Sequence, residues 1–159
     1  MAKVKLGNKV TNFELPATGD QDISLKDLAG KNVIIYFYPK DNTPGCTQEG
    51  QDFRDQYTKF KRAKTIVLGV SRDSVKTHTN FKAKHNFPFE LLADTDEKLC
   101  KQFDVIKLKK NYGKEYMGIE RSTFLIDSKG ILKEEWRGVK VKGHIDEVLA
   151  AAKKYTPEA

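Results

Sequence analysis

The sequence VIIYFYPKDNTPGCTQE (residues 33–49) joins an apolar strand to a polar turn and then to the start of a helix. Residues 33–38 are apolar on both faces, a pattern typical of a central parallel strand that helices cover on both sides. Pro39 ends this strand, and an apolar stripe at helical spacing predicts a helix over residues 44–61. The segment therefore predicts a strand–loop–helix unit inside a layered α/β domain.

The sequence on either side continues the alternation of strands and helices. It predicts an N-terminal edge strand over residues 11–16, a helical turn over 24–28, strands over 65–70, 89–92 and 123–126, a hairpin strand over 131–137, and helices over 71–84, 97–103 and 144–155. This order predicts an α/β thioredoxin-like sandwich, in which helices flank a central mixed β-sheet that follows an N-terminal extension. No linker or repeat divides the sequence, so residues 1–159 are expected to form a single domain.

Composition limits the function classes. Lys and Arg total 29 against 22 Asp and Glu, a formal charge of +7, but the lysines alternate with acids, so we expect neither a nucleic-acid nor a membrane partner. Two cysteines are too few for a disulfide-stapled secreted domain. No apolar run approaches the roughly 20 residues that cross a bilayer, and no signal peptide is apparent, so a cytoplasmic location is expected. The three histidines share no metal-ligand spacing with the cysteines, which predicts no metal.

Cys46 is the residue most suited to chemistry. It lies in the first turn of the predicted helix, where unpaired backbone amides and the helix dipole favour an anion. Asn42 or Thr43 is expected to cap that helix, and Pro44 suits its first turn. A thiol needs such a place because the thiolate is the nucleophilic form. A buried, inert cysteine is the alternative, but the surrounding Thr, Pro and Gly favour a loop at the edge of the sheet, where α/β proteins place ligands.

Two segments resemble those of peroxiredoxins. Residues 37–49 (FYPKDNTPGCTQE) resemble the active-site loop, most closely that of the bacterioferritin comigratory protein, or PrxQ, subfamily. Residues 118–127 (GIERSTFLID) are similar to the arginine-bearing strand of the same family, and residues 13–16 and 87–94 also fit. The resemblance spans nearly the whole chain. It implies an antioxidant, thiol-dependent peroxidase for hydrogen peroxide and organic hydroperoxides, with no organic cofactor or metal.

The resemblance also implies roles for individual residues. The Cys46 thiolate would attack the peroxide and become a sulfenic acid. Thr43 and Arg121 would be the other catalytic residues, with a hydroxyl and a guanidinium that face the peroxide oxygens. Taken alone, Thr43 could be only a helix cap and Arg121 only a surface ion-pair partner.

Three neighbouring residues would contribute to peroxide binding. Pro39 would shield the sulfur from water, and the Gly45 amide would donate to the peroxide. Glu49, one helical turn beyond the cysteine, would orient the arginine. Glu49 could equally be a first-turn acid that only interacts with the helix dipole.

The route that regenerates the thiol stays open in the sequence. Related proteins carry a resolving cysteine five residues after the reactive one, where this chain has Gln51, or on the next helix, where residues 81–83 offer none. Cys100 is either a buried inert thiol or a resolving cysteine that condenses with the sulfenic acid after local unfolding. In the first case an external thiol is needed, such as thioredoxin, glutaredoxin or glutathione. The resemblance favours a monomer.

Three other functions have weaker support in the sequence. A disulfide oxidoreductase needs a C-x-x-C pair, and Gln48-Glu49 follow Cys46 without one. A Cys–His hydrolase has no local support. A basic module on the same fold that binds nucleic acid or a protein partner is the third. Residues 107–114 predict a basic loop, which is interpreted as solvated surface rather than a phosphate site.

Overall fold

The computed structural model describes residues 3–157. The strands are β1 (Glu14–Ala17), β2 (Gln21–Ser24), β3 (Asn32–Phe37), β4 (Thr65–Ser71), β5 (Glu90–Ala93), β6 (Ile106–Asn111), β7 (Lys114–Ile119), β8 (Ser122–Ile126) and β9 (Leu132–Arg137). The helices are a 3-10 turn (Leu25–Leu28), α1 (Pro44–Asp55), α2 (Tyr57–Arg62), α3 (Val75–His85), α4 (Lys98–Gln102) and α5 (His144–Lys154). Within residues 3–157, no helix combines the length and the apolar character needed to span a bilayer.

Seven strands form one mixed sheet in the order β2-β1-β5-β4-β3-β8-β9. Strand β3 pairs in parallel with β4 and antiparallel with β8, and β4 pairs in parallel with β5. Every residue of β3 is buried, as its two-sided apolar pattern predicts. The predicted central mixed sheet with flanking helices is confirmed.

The sheet separates two hydrophobic cores. Successive side chains of a strand point to opposite faces, so Phe37 of β3 belongs to one core and Tyr36 to the other. The first core contains α4, the 3-10 turn and the N-terminal segment, and it includes Cys100. The second core receives α1, α2, α3 and α5, and it includes Cys46. The two cysteines therefore lie on opposite faces of the central sheet.

The helix predicted over residues 44–61 is two helices. Gln56 leaves the helical conformation, with φ −104° and ψ 7°, and α2 begins at the next residue. The break lets α2 pack against β4 and α5, while Phe53 of α1 and Phe60 of α2 still meet, with ring centroids 5.7 Å apart. The apolar stripe predicts the helical residues on both sides of Gln56, but helical spacing does not predict a one-residue break.

Two further predictions were wrong in placement. Strand β1 is not at the edge of the sheet, because β2, a strand that the sequence did not predict, pairs outside it. Residues 107–114 are not a loop: β6 and β7 form a two-stranded hairpin whose turn uses left-handed Tyr112 (φ 50°) and Gly113 (φ 79°). Lysines and a glycine favour a loop on propensity alone, and cross-strand pairing outweighs that preference here.

Candidate active site

Strand register brings Arg121 to Cys46. Ser122 of β8 lies opposite Phe37 of β3, so Arg121 sits where β3 ends and the loop towards α1 begins. Cys46 is the third residue of α1. The Arg121 Nη2 donates to the Cys46 Sγ at 3.4 Å, although the two residues are 75 positions apart in the chain. The sulfur thus faces the Arg121 guanidinium, and Cys46 lies in the first turn of a helix, where backbone amides have no partner within the helix.

Glu49 holds the other arm of the guanidinium. Arg121 Nη1 donates to Glu49 Oε1 at 2.7 Å. The orienting role that the resemblance implies for Glu49 stays a prediction. The Glu49 side chain is only 2% exposed and that of Arg121 16%. Gly45 completes the arrangement, because a Cβ at this position would lie 3.1 Å from Nη2 and would crowd the guanidinium.

Burial and the ion pair act in opposite directions on these charges. Burial raises the pKa of Glu49 from 4.5 to about 7, although the Arg121 guanidinium opposes the shift. Burial alone would lower the pKa of Arg121, but the neighbouring Glu49 carboxylate and Cys46 sulfur raise it. Arg121 therefore stays charged, whereas Glu49 titrates near neutral pH.

This titration predicts a pH-dependent stability. Between pH 4.5 and about 7 the folded chain keeps a proton on Glu49 that the unfolded chain has released, so the free energy of unfolding falls as pH rises. In Glu49→Gln, which keeps an acceptor for Arg121, we expect the fall between pH 5 and pH 8 to be smaller by about 1–3 kcal/mol. Urea unfolding at the two pH values measures it. Glu115→Gln, at an exposed ion pair of the hairpin, should keep the wild-type slope. Equal slopes in Glu49→Gln and wild type would contradict the expectation.

Thr43 occupies the N-cap position of α1, but its hydroxyl does not cap the helix. It donates to the Lys40 carbonyl at 2.8 Å instead, and no side-chain cap bond is formed. Asn42 is not the cap either, since it adopts a left-handed conformation with φ 65°. Pro39 is half-buried where β3 ends. The roles of Thr43 and Pro39 towards a peroxide stay predictions.

Cys100 lies in a different hydrophobic core from Cys46. It is fully buried in the core on the other face of the sheet, and its amide donates to Asp94 Oδ2 at 2.7 Å. Burial raises the pKa of the Cys100 thiol, and the Asp94 carboxylate adds to the effect. The structure does not bring Cys100 to Cys46, and Cys100 is a poor source of thiolate.

Sequence reasoning missed several groups near the site. Lys109, assigned to a solvated loop, is half-buried on the hairpin, and burial together with Arg121 lowers its pKa. His144 lies at the start of α5 with Nε2 2.9 Å from Thr123 Oγ1, and burial and Arg121 lower its pKa to about 4. Isolated lysines and histidines carry no signal in a sequence, because only tertiary packing decides what they face.

A cavity lies away from Cys46, on the side of the sheet where β3 begins. Its volume is about 410 Å³, and it is lined by Val10, Leu25 and Val33 among others. Val33 is near the beginning of β3, whereas Cys46 follows its end. Cys46 is not among the residues that line this cavity, and it is 1% exposed.

Comparison with known proteins gives consistent matches. The model of the AhpC/TSA family matches residues 6–135. Peroxiredoxin Bcp of Bacillus subtilis is 53% identical over 94% of this chain and 96% of its own length, and peroxiredoxin Bcp of Escherichia coli is 38% identical over 94% and 96%.

Solved structures agree. A cysteine-to-serine mutant of Xylella fastidiosa PrxQ aligns with a TM-score of 0.90 and 44% identity, over 97% of this chain and 98% of that one. The Xanthomonas campestris bacterioferritin comigratory protein, solved in trapped intermediate and ligand complexes that concern alkyl peroxide reduction, aligns with a TM-score of 0.86 and 52% identity, over 91% and 92%.

Proposed function

Because this chain belongs to the AhpC/TSA family, and within it to the Bcp/PrxQ peroxiredoxins, it is a thiol peroxidase, and we propose that Cys46 attacks the peroxide. The sequence resemblance and the predicted thioredoxin-like fold are thereby confirmed. The observation that carries the proposal for Cys46 is the 3.4 Å contact between Arg121 Nη2 and its sulfur, in the first turn of α1. A thiol between a helix N-terminus and a guanidinium is placed to react as a thiolate.

The proposed reaction is an in-line displacement. The thiolate of Cys46 forms a bond to one peroxide oxygen, the O–O bond breaks, and the products are a sulfenic acid and an alkoxide or hydroxide that takes up a proton. Negative charge develops on the leaving oxygen, so donors already in place lower the barrier. Arg121 and the amides of Gly45 and Cys46 are the proposed donors, with Glu49 as the residue that orients the guanidinium.

Regeneration is proposed to need an external thiol. That thiol attacks the sulfenic sulfur and releases water to form a mixed disulfide, and a second thiol then frees Cys46. The support is the position of Cys100 on the opposite face of the sheet. Thioredoxin, glutaredoxin and glutathione are the proposed reductants, and a Cys46–Cys100 disulfide is the less favoured route. We further propose one domain over residues 1–159, a monomer, and a reducing cytoplasm in which both thiols stay free.

A reductant panel tests the function. The purified protein should consume hydrogen peroxide and an alkyl hydroperoxide when supplied with dithiothreitol, and it should turn over with at least one of thioredoxin, glutaredoxin and glutathione. Both peroxides are expected to react because the Xanthomonas relative concerns alkyl peroxide reduction. Absence of consumption with every thiol would refute the proposed role of Cys46.

A further inference from the structure

The loop between β3 and α1 contains a buried aspartate that is bonded to several other elements. Asp41 Oδ1 accepts from the Tyr38 hydroxyl at 2.6 Å, and Oδ2 lies 2.7 Å from Nδ1 of His78 on α3. The Asp41 amide donates to Asp73 Oδ2, beyond the end of β4, at 2.9 Å. The side chains of Asp41 and His78 are 0% exposed. A buried polar group that is fully bonded is held in one geometry.

The network carries one shared proton. His78 Nε2 lies 2.9 Å from the Leu92 carbonyl, which can only accept, so this nitrogen holds a hydrogen. Nδ1 faces a carboxylate oxygen of Asp41, and that short contact needs a second hydrogen between the two atoms. Burial raises the pKa of Tyr38 well above its usual value, so Tyr38 remains a donor. The Asp41–His78 pair is therefore neutral overall, which avoids an unpaired buried charge.

A metal site is the other reading of these residues. Asp41, Asp73 and His78 have ligand atoms within 4.8 Å of one another. Each of the three side chains, however, is already bonded inside the protein, and Ser71 donates to the same Asp73 oxygen that binds the Asp41 amide. Both Asp41 oxygens, both His78 nitrogens and Asp73 Oδ2 are thus occupied by internal hydrogen bonds, and we assign no metal here.

We propose that Asp41 is a positioning residue for Cys46, which fixes where α1 begins and therefore where the thiol lies relative to Arg121. Only two residues separate Asp41 from the first residue of α1, and the first of them, Asn42, takes a left-handed conformation within a turn. Asp41 is thus bonded to the residue that follows β3, to α3 and to the loop that follows β4. Displacement at an O–O bond needs an aligned nucleophile, and a misplacement of about 1 Å costs about 10²-fold in rate. The inference rests on the proposed attack by Cys46.

Two substitutions at Asp41 test whether its hydrogen bonds to Tyr38 and His78 position Cys46: alanine removes both bonds, and asparagine can keep them. In Asp41→Ala we expect the rate constant of Cys46 with hydrogen peroxide to fall by about 10- to 100-fold. Alkylation of Cys46 by iodoacetamide needs no alignment with Arg121, so at an alkaline pH at which the thiol is ionised in both proteins it should not slow. Asp41→Asn can accept from Tyr38 and donate to a neutral His78, so its peroxide rate should stay within about threefold of wild type. Asp55→Ala, at the exposed end of α1, is the matched control and should match wild type in both reactions.

Defined outcomes would overturn the inference. A folded Asp41→Ala with a peroxide rate within about threefold of wild type would do so, and so would an Asp41→Asn as slow as Asp41→Ala. If Asp41→Ala does not fold, Tyr38→Phe removes a single donor to Asp41. That variant should lose several-fold in peroxide rate with unchanged alkylation, and an unchanged peroxide rate would reject the inference. A wild-type protein that does not react with peroxide would instead count against the proposed function itself.

Discussion

Cys46→Ser is expected to abolish thiol-dependent peroxide consumption, with a loss of about 10⁴-fold or more. The serine hydroxyl is not ionised near neutral pH and cannot replace the thiolate that Arg121 faces at 3.4 Å. Cys100→Ser should keep full activity, because Cys100 lies in the core on the other face of the sheet. Peroxide consumption with dithiothreitol measures both variants, and each serves as the control for the other.

Intact-mass measurement tests the same role of Cys46 by identifying the product that peroxide forms on it. One equivalent of hydrogen peroxide should add about 16 Da, which a sulfenic-acid trap captures at Cys46. The Cys100→Ser protein should show the same gain, and Cys46→Ser none. A loss of about 2 Da that disappears in Cys100→Ser would mean that the two thiols form a disulfide. That result would require α1 or α4 to leave its core, and it would refute regeneration by an external thiol alone.

Arg121→Met is expected to lower the rate constant of Cys46 with hydrogen peroxide by about 10²- to 10³-fold, the usual cost of removing one charged donor from a developing anion. Arg121→Lys keeps the charge, but an ammonium group cannot donate to Cys46 and Glu49 in the fixed geometry of the two guanidinium nitrogens. We therefore expect the rate constant of this variant to fall by about tenfold. Stopped-flow mixing with peroxide measures each rate. Arg137→Met is the control, because Arg137 donates to the carbonyls of Phe103 and Asp104 and not to the site.

A double variant separates the chemical role of Arg121 from its role in stability. Arg121→Met leaves the Glu49 carboxyl buried without its partner, which destabilises the fold. Adding Glu49→Gln should recover stability without recovering the peroxide rate. A rate in Arg121→Met within about threefold of wild type would show that the guanidinium is not a donor in the reaction. Recovery of the rate in the double variant would show that it acts only by neutralising Glu49.

Local sequence patterns were sufficient to predict the central strand and the start of the helix that carries Cys46. The two-sided apolar run of β3 predicted a central buried strand, and the N-terminal signals after Pro39 placed Cys46 in the first turn of a helix. These features depend on residues a few positions apart in the chain, so local sequence patterns predict them. The break at Gln56 and the β6–β7 hairpin were missed, because packing and cross-strand pairing decided them rather than local preference.

The fold class, the family and the choice of Cys46 as the proposed nucleophile could all be inferred from the sequence, since each depends on a contiguous segment with a recognisable pattern. The groups that surround that thiol depend instead on tertiary packing. The contacts of Arg121 with Cys46 and Glu49 depend on the β3–β8 register, which places Arg121 beside a cysteine 75 residues away in the chain. The Asp41–His78 pair and the separation of Cys46 from Cys100 likewise depend on which face of the sheet each residue reaches. Contacts between distant residues arise from packing, and no local pattern of residues encodes them.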